Sequence, residues 1–443
     1  MEILIKVLQL LLSLSILVIV HEFGHFITAK IFKTRVEKFY LFFNPWFSIF
    51  KFKIKETEYG LGWLPLGGYV KISGMIDESM DKEQLKQPPQ PWEFRSKPAW
   101  QRLIVMLGGV LVNIILAVLI YISILFYWGE QYLPTSEVKY GITVDSLAYE
   151  MGLRDGDKIL SVDNKKVEEF YKIPGEIIIE LAKTVQVERE GQIIDLKTPE
   201  EFISKLLTQR DPRFIDVRFP FVIEEVLDDS PAKKAGLSAN DQILSVENQS
   251  TLFFDQFRKE IGDRKGQVVN IKVLRNNDTI STAVEVLPTG MIGVKAKTLT
   301  HFFELKEKNY SMLQAIPAGT VKTYKSVENY LKQLNIVLFK PESGAYKQIG
   351  GFITIGSIFP SIWDWQAFWA LTAFLSVMLA ILNILPIPAL DGGHVMFLLY
   401  EIVARRKPSD KFLEYAQIAG MVILFGLLIY ANGNDLMRFV FKN

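Results

Sequence analysis

Four long apolar segments constrain this chain more than any other feature of its sequence. They cover residues 3–32, 102–128, 365–390 and 413–431, and each could cross a bilayer core, which takes about 20 apolar residues. The chain has 443 residues, 49% of them hydrophobic. We therefore predict a polytopic α-helical membrane protein with four transmembrane helices. A cleaved signal peptide is the alternative for the first segment, although no small-residue cleavage site follows it.

Basic residues orient the predicted spans, because cytoplasmic loops carry an excess of Lys and Arg. Clusters lie after the first span, before the second, and between the third and fourth: Lys30, Lys33, Arg35, Lys38; Lys97, Arg102; Arg405, Arg406, Lys407, Lys411. All fall on one side if the N-terminus faces outward. Residues 33–101 are then cytoplasmic, and the insert from about residue 129 to 364 is extracytoplasmic.

The rest of the composition excludes several classes of function. The net charge is +1, so no broad positive field points to nucleic acid as a partner. The chain has no cysteine, which excludes thiolate metal sites, cysteine nucleophiles and disulfides. It has only four histidines, and two of them lie in the pentapeptide HEFGH at residues 21–25.

The extracytoplasmic insert contains an internal repeat. Residues 145–170 and 229–254 align at a constant offset of 84 residues, which makes Asp157 and Asp241 equivalent. Each copy reads as a short helix, a glycine turn and the strand ILSV, followed by a β-rich run. We predict two similar α+β domains, at residues 132–215 and 219–290.

HEFGH places three polar groups in the first apolar span, where ionisable residues are costly and need internal partners. On a helix, His21 and His25 share a face and could bind one Zn²⁺, and Glu22 beside them could activate a water molecule. The plain alternative is a polar helix end that reaches interfacial water.

A catalytic zinc usually has a third protein ligand, and NILPIPALDGGH at residues 383–394 offers two candidates. Asp391 is the better one, because it lies at the cytoplasmic end of the third span, at the depth predicted for HEFGH. His394 is the rival. Pro386 and Pro388 interrupt helical hydrogen bonding before it. Unwound backbone at membrane depth is tolerated only where it is buried or lines a cavity, which favours a site over a simple anchor.

The chain resembles the site-2 protease family of intramembrane zinc metalloproteases in three motifs. In chain order these are HEFGH, GWLPLGGYVKISGM at residues 62–75, and NILPIPALDGG. The pattern SPAKKAGLSANDQILSVENQ in the second repeat resembles the PDZ domains of bacterial envelope proteases. Two such domains between the second and third spans narrow the resemblance to the regulator-of-sigma-E protease branch.

That resemblance implies an enzyme of the bacterial inner membrane, with periplasmic PDZ domains and an active site toward the cytoplasm. His21, His25 and Asp391 would bind zinc, Glu22 would be the general base, and Asn383 would help to hold substrate. The substrates would be single-span membrane proteins, such as anti-sigma factors or signal-peptide remnants. The PDZ pair would be a size filter or peptide-docking site; two rigid spacers are the alternative.

The sequence departs from the family pattern in the second and third membrane regions. GGVLVN lacks the proline often found before its asparagine, and we interpret Asn113 as non-catalytic, in a helix that packs through Gly108 and Gly109. GGFITIG at residues 350–356 also lacks a proline. Neither change affects a predicted ligand.

Residues 47–72 predict a β-hairpin after the first span, with a turn at ETEYG and alternating apolar residues. The resemblance implies that it re-enters the membrane near the zinc, where a strand edge could pair with unwound substrate. We predict substrate contacts from Gly67, Gly68 and Tyr69, and from Pro386. A cytoplasmic surface hairpin is the alternative. Residues 305–345 predict amphipathic helices at the membrane interface.

Two other classes of function fit parts of this pattern. A membrane scaffold could capture peptides through the PDZ pair, but it would not need HEFGH or Asp391. A transporter could also have broken spans with polar residues at mid-depth, but the chain has no inverted repeat. The fold class that we predict is four transmembrane helices with a membrane-associated hairpin and two extracytoplasmic PDZ-like domains.

Overall fold

The computed structural model describes residues 1–65, 67–75, 87–208 and 213–439. Leu66, which belongs to the predicted hairpin, lies outside the described residues. The chain divides into two compact units. The first unit comprises residues 1–129, 309–339 and 346–443, and the second comprises residues 130–308 and 340–345.

The helices and strands follow in chain order. The N-terminal part contains α1 (Glu2–Ile31), β1 (Val36–Leu41), β2 (Phe43–Ile54), β3 (Thr57–Leu64), β4 (Tyr69–Ile72) and α2 (Ala99–Trp128). The second unit contains β5 (Glu130–Tyr132), β6 (Ile142–Val144), α3 (Ser146–Glu150), β7 (Lys158–Val162), α4 (Ile173–Ile179), β8 (Thr184–Arg189), β9 (Gln192–Lys197), α5 (Glu200–Thr208), β10 (Ile215–Val217), β11 (Ile223–Val226), α6 (Pro231–Lys234), β12 (Gln242–Val246), β13 (Gln249–Ser250), α7 (Phe254–Gly262), β14 (Val268–Arg275), β15 (Asp278–Glu285), β16 (Val294–Ala296), α8 (Leu299–Phe302) and β17 (Lys306–Lys308). The C-terminal part contains α9 (Met312–Phe339), α10 (Phe352–Ser357), α11 (Trp365–Ile384), α12 (Asp391–Ala404) and α13 (Asp410–Phe439).

The four predicted spans are confirmed as helices. Within the described residues, α1, α2, α11 and α13 are long and apolar enough to cross a membrane. The predicted extent of the third span, residues 365–390, is wrong, because α11 ends at Ile384 and Asp391 begins the separate helix α12. Pro386 and Pro388 account for the break, since proline lacks the backbone N–H of a helical hydrogen bond and restricts the residue before it.

Helix α2 is the centre of the first unit and packs against α1, α9, α11 and α12. Its crossing with α1 is close because both helices have glycine there. A Cβ on Gly24 would lie 2.3 Å from the Gly108 carbonyl oxygen, and a Cβ on Gly108 would lie 2.5 Å from the Gly24 carbonyl oxygen. The expectation that Gly108 and Gly109 serve helix packing is confirmed.

The predicted hairpin is part of a four-stranded sheet with the order β2-β3-β1-β4. Strands β2 and β3 pair antiparallel, as predicted, with Phe52 opposite Tyr59 and Ile54 opposite Thr57. The predicted turn at ETEYG is wrong, because strand β3 begins at Thr57 and the turn occupies residues 55–56 only. The sheet also begins earlier than predicted, with β1 running parallel to β3.

Helix α9 is a single long helix where amphipathic helices were predicted over residues 305–345. It packs on α2 through small residues: Ala315, Gly319 and Thr323 are buried, and a Cβ on Gly319 would meet the Ile122 backbone at 2.7 Å. Several residues of its apolar pattern, such as Leu313 and Tyr324, are instead exposed. The small residues therefore form the packing face.

The second unit contains two hydrophobic cores, one for each copy of the repeat. The first core includes Ile142, Leu153 and Phe214, and it extends past the predicted boundary at 215 to Val217 and Phe303. The second core includes Ile223, Ile243 and Ile271. It extends past residue 290, because β16 pairs with β11.

Candidate metal centre and active site

Two imidazoles and one carboxylate converge on a single point in the first unit. His21 Nε2 lies 3.3 Å from His25 Nε2, and both nitrogens lie close to Asp391 Oδ2, at 3.1 Å and 3.2 Å. The three side chains are the only set of at least three metal-ligating groups found within the described residues. His394, the rival third ligand, is not part of this cluster.

Local sequence accounts for the position of each group. His21 and His25 are one turn apart on α1, so their side chains share a face. Asp391 begins α12 after the proline-interrupted segment. That segment folds tightly because Gly392 and Gly393 follow: a Cβ on Gly392 would lie 2.2 Å from the Leu385 carbonyl oxygen, and one on Gly393 would lie 2.6 Å from Pro388 Cα.

The other ring nitrogen of each histidine faces a polar group of α2. His25 Nδ1 lies 2.9 Å from the Val105 carbonyl oxygen. His21 Nδ1 lies 3.2 Å from the Asn113 carboxamide, whose Oδ1 has no hydrogen-bond partner among the described residues. Rotating the carboxamide by 180° lets Oδ1 accept from the His21 Nδ1–H. Both Nε2 atoms then present lone pairs, as in metal-bound histidines that donate their second N–H.

The cluster therefore fits a divalent metal ion. Two imidazole nitrogens and a carboxylate oxygen are a donor set that zinc accepts, and such sites leave the fourth position open. Asp391 Oδ2 is buried without a hydrogen-bond donor among the described residues, and no Lys or Arg of the described residues forms an ion pair with Asp391. A cation is the partner that this arrangement requires.

Asn113 is the site residue that the sequence interpretation missed. It was interpreted as non-catalytic, and its side chain is fully buried and contacts His21. The Ser376 hydroxyl donates a hydrogen bond to the Asn113 backbone carbonyl at 2.8 Å, which connects α11 to the same point. The available signal was an amide in the middle of an apolar span, where polar residues are expensive and usually functional.

Gly109 brings α2 against the two imidazoles. A Cβ at this position would lie 2.5 Å from His25 Nε2 and 2.6 Å from His21 Cε1. Glycine is therefore required for α2 to approach the cluster this closely. The role of Gly109 goes beyond the helix packing that was predicted for it.

The cluster lies on the wall of a cavity of about 660 Å³. Glu22 lines the same cavity, and a Cβ on Gly68, which precedes β4, would lie 3.6 Å from Glu22 Cγ. The structure thus places a carboxylate beside the two histidines and close to the start of β4.

The predicted hairpin residues line this cavity too. Gly67, Gly68 and Tyr69 contribute, together with the rest of β4. A Cβ on Gly68 would lie 2.6 Å from the Tyr40 carbonyl oxygen and 2.7 Å from Val18 Cγ1. Because β4 is the last strand of the sheet, its outer edge is not paired with another strand of the described residues.

Of the other two predicted substrate contacts, Asn383 lines the cavity and Pro386 does not. Asn383 Nδ2 lies 3.4 Å from His21 Nε2. The structural effect of Pro386 is the break between α11 and α12, and a direct contact with substrate stays a prediction.

Comparisons with known proteins agree with this chemistry. Residues 9–427 match the model of Peptidase family M50. The regulator of sigma E protease of Haemophilus influenzae is 28% identical, over 97% of this chain and 98% of its own length. The metalloprotease MmpA of Caulobacter vibrioides is 26% identical, over 99% of this chain and 97% of its own length.

Proposed function

We propose a substrate class and residue roles for this chain, which belongs to peptidase family M50, the site-2 protease family, and is a zinc metalloprotease of the bacterial membrane. It hydrolyses peptide bonds within or near the transmembrane segments of single-span membrane proteins. One observation carries this proposal: His21, His25 and Asp391 converge in a cavity formed by helices that are apolar enough to cross a bilayer. Family membership decides against the scaffold and the transporter.

The proposed ligands are His21, His25 and Asp391. When bound there, zinc polarises the scissile carbonyl and lowers the pKa of an attacking water molecule to about 7. Glu22 accepts the proton from that water and delivers it to the leaving amine. The Val105 carbonyl and Asn113 hold the two imidazoles in the orientation that directs Nε2 to the metal.

The substrate must unwind before it is cut, because a transmembrane helix uses each carbonyl in an internal hydrogen bond. Its freed backbone groups need partners at membrane depth. The outer edge of β4 offers such partners beside Glu22, and backbone pairing demands no particular side-chain sequence. Gly67 and Gly68 permit a close approach of substrate backbone, and Asn383 holds the substrate near His21.

The two repeats are PDZ-like domains that act outside the membrane as a size filter or docking site. Two observations support this assignment: the sequence pattern of the second copy, and the match with a regulator of sigma E protease over nearly its whole length. The basic clusters support an active site toward the cytoplasm and a periplasmic second unit. Substrates already trimmed outside the membrane, such as anti-sigma factors or signal-peptide remnants, suit this arrangement.

The proposed function is tested with purified protein in proteoliposomes and two versions of a single-span model substrate. One version is trimmed close to the membrane and the other carries a bulky outer domain. The full chain should cut only the trimmed version, and a chain without the PDZ-like pair should cut both. A deleted chain that folds and binds zinc but cuts neither would contradict the filter role.

The role of β4 is tested separately with hairpin variants. Gly68→Pro, Gly67→Pro or deletion of residues 61–70 should lower cleavage while zinc content stays normal, because the metal ligands lie on α1 and α12. Unchanged turnover in folded variants would leave the sheet without a role in substrate binding.

A further inference from the structure

Helix α13 contributes one polar side chain to the catalytic cavity. Gln417 lines this cavity and is only 5% exposed. It also lines a second cavity, of about 220 Å³, which shares Met75 and His394 with the first. Gln417 therefore lies where the two cavities meet, in a helix whose most apolar window is mostly unburied.

The Gln417 carboxamide makes no hydrogen bond within the part of the chain that the structure describes. Neither Oε1 nor Nε2 of Gln417 is among the fully enclosed polar atoms without a partner, so the carboxamide opens to the cavity that it lines. Gln9, a buried amide of α1, donates through Nε2 to the Pro360 carbonyl at 2.9 Å, whereas neither group of the Gln417 carboxamide has such a partner among the described residues. An unpaired amide directed into a catalytic cavity points to a ligand that supplies the partner.

The position of Gln417 is determined by a glycine one turn further along α13. A Cβ on Gly420 would lie 2.2 Å from the Pro388 carbonyl oxygen and 2.9 Å from the Ala389 nitrogen. Helix α13 therefore packs directly on the backbone that leads to Asp391. This contact holds Gln417 against the cavity.

Gln417 also lies at the depth of the metal cluster. It is two turns from the start of α13, or roughly 10 Å at 1.5 Å per residue. His25 is a similar distance, roughly 9 Å, from the end of α1. The basic clusters assign both helix ends to the same side of the membrane. An unwound segment that reaches the cluster thus passes Gln417.

We propose that the Gln417 side chain binds the backbone of the unwound substrate and so positions the substrate in the cavity. This inference rests on the proposed function. An extended segment paired with β4 along one edge has unpaired N–H and C=O groups along the other. A carboxamide presents both a donor and an acceptor, so Gln417 can pair with that second edge whatever the substrate side chains are. Substrate is then held from two sides, by β4 and by α13.

The direct test is site-specific disulfide crosslinking, which is clean because the chain has no cysteine. Val70→Cys, Gln417→Cys and Gln366→Cys are each made in a Glu22→Gln background that leaves substrate uncut. Each is combined with a single-span model substrate that carries one cysteine, scanned across its cleavage region. Gln366 is the matched control, since it is an exposed glutamine on α11.

We expect crosslinks from Val70→Cys and Gln417→Cys to neighbouring substrate positions, and none from Gln366→Cys. Crosslinks from Val70→Cys without any from Gln417→Cys would overturn this inference and leave the proposed function standing. Crosslinks from neither would overturn substrate pairing at β4 and this inference together.

Kinetic measurements on the intact enzyme distinguish a role of Gln417 in holding substrate from a role in the fold. Gln417→Met keeps the length of the side chain but loses both hydrogen-bonding groups. It should lower kcat/KM about five- to thirtyfold, the equivalent of one or two hydrogen bonds, chiefly through KM. Zinc content should be unchanged, Gln417→Asn should recover part of the loss, and Gln366→Met should match the parent. A Gln417→Met enzyme with parental kcat and KM would contradict the proposal.

Discussion

Asp157 and Asp241 in the second unit and Asp391 in the first unit are carboxylates with opposite kinds of partner. Asp157 and Asp241 of the second unit are fully buried. Asp157 accepts two hydrogen bonds from Arg189, at 2.7 and 2.8 Å, and Asp241 accepts two from Arg275, both at 2.7 Å. Each carboxylate also accepts one hydrogen bond from a backbone N–H. Asp391 of the first unit faces two imidazoles and has no arginine or lysine partner among the described residues.

Under the proposed function, this difference separates a structural carboxylate from a metal ligand. A buried ion pair with all hydrogen bonds formed is complete without a ligand, and its loss affects folding. A cluster of donor atoms that converge on one point is satisfied only when a cation binds, and removal of one of these side chains affects metal binding. The same residue type therefore predicts a stability defect in one unit and a zinc defect in the other.

The largest expected effect is at the three proposed metal ligands. His21→Ala, His25→Ala and Asp391→Ala should each lower zinc content and reduce cleavage by at least about a hundredfold, because loss of even an outer partner of a metal site costs 10–100-fold. Zinc analysis and a cleavage assay on purified protein check this. An active Asp391→Ala enzyme beside an inactive His394→Ala enzyme would show that the third ligand is His394.

The opposite result is expected for the second unit. Asp241→Ala leaves Arg275 without its partner, which for a fully buried pair costs about 3–5 kcal/mol. The Arg275 side chain is 31% exposed, so water reduces the cost to about 2–3 kcal/mol. Faster hydrogen exchange in β12 and β14, with unchanged zinc content, is the expected outcome. Zinc loss in this variant would remove the distinction between the two kinds of carboxylate.

A smaller effect is expected where α2 touches the imidazoles. Gly109→Ala puts a methyl group into the space occupied by His25. It should lower zinc affinity about tenfold, the loss expected when the contacts that orient a metal ligand are disturbed. The matched control is Gly426→Ala on α13, where a Cβ would meet nothing within 4 Å. Zinc competition with a chelator measures both. Equal affinities would show that the close approach of α2 does not position the histidines.

The features that could be predicted from sequence are those set by local geometry. The pairing of His21 with His25 follows from helical spacing alone, and the break after α11 follows from two prolines. The spans follow from length and hydropathy. Strands β2 and β3 follow from alternation, although the turn between them was placed too late because alternation does not define where pairing begins.

The outer contacts of the site could not be predicted, because they depend on which faces of distant helices meet. Asn113 and the Val105 carbonyl reach the histidines only through the close crossing of α1 and α2. Gln417 reaches the cavity only because Gly420 packs on the segment after Pro388. The small-residue face of α9 was missed for the same reason, since its apolar pattern predicted a different packing face.

In the proposed mechanism, Glu22 performs the proton transfer beside a zinc ion held by His21, His25 and Asp391. The most direct measurement compares wild type with Glu22→Gln, for zinc content and for cleavage of one single-span model substrate. We predict one zinc per chain in both proteins, with cleavage lost only in the variant, because glutamine cannot accept the proton. Cleavage by Glu22→Gln at the wild-type rate would contradict the account.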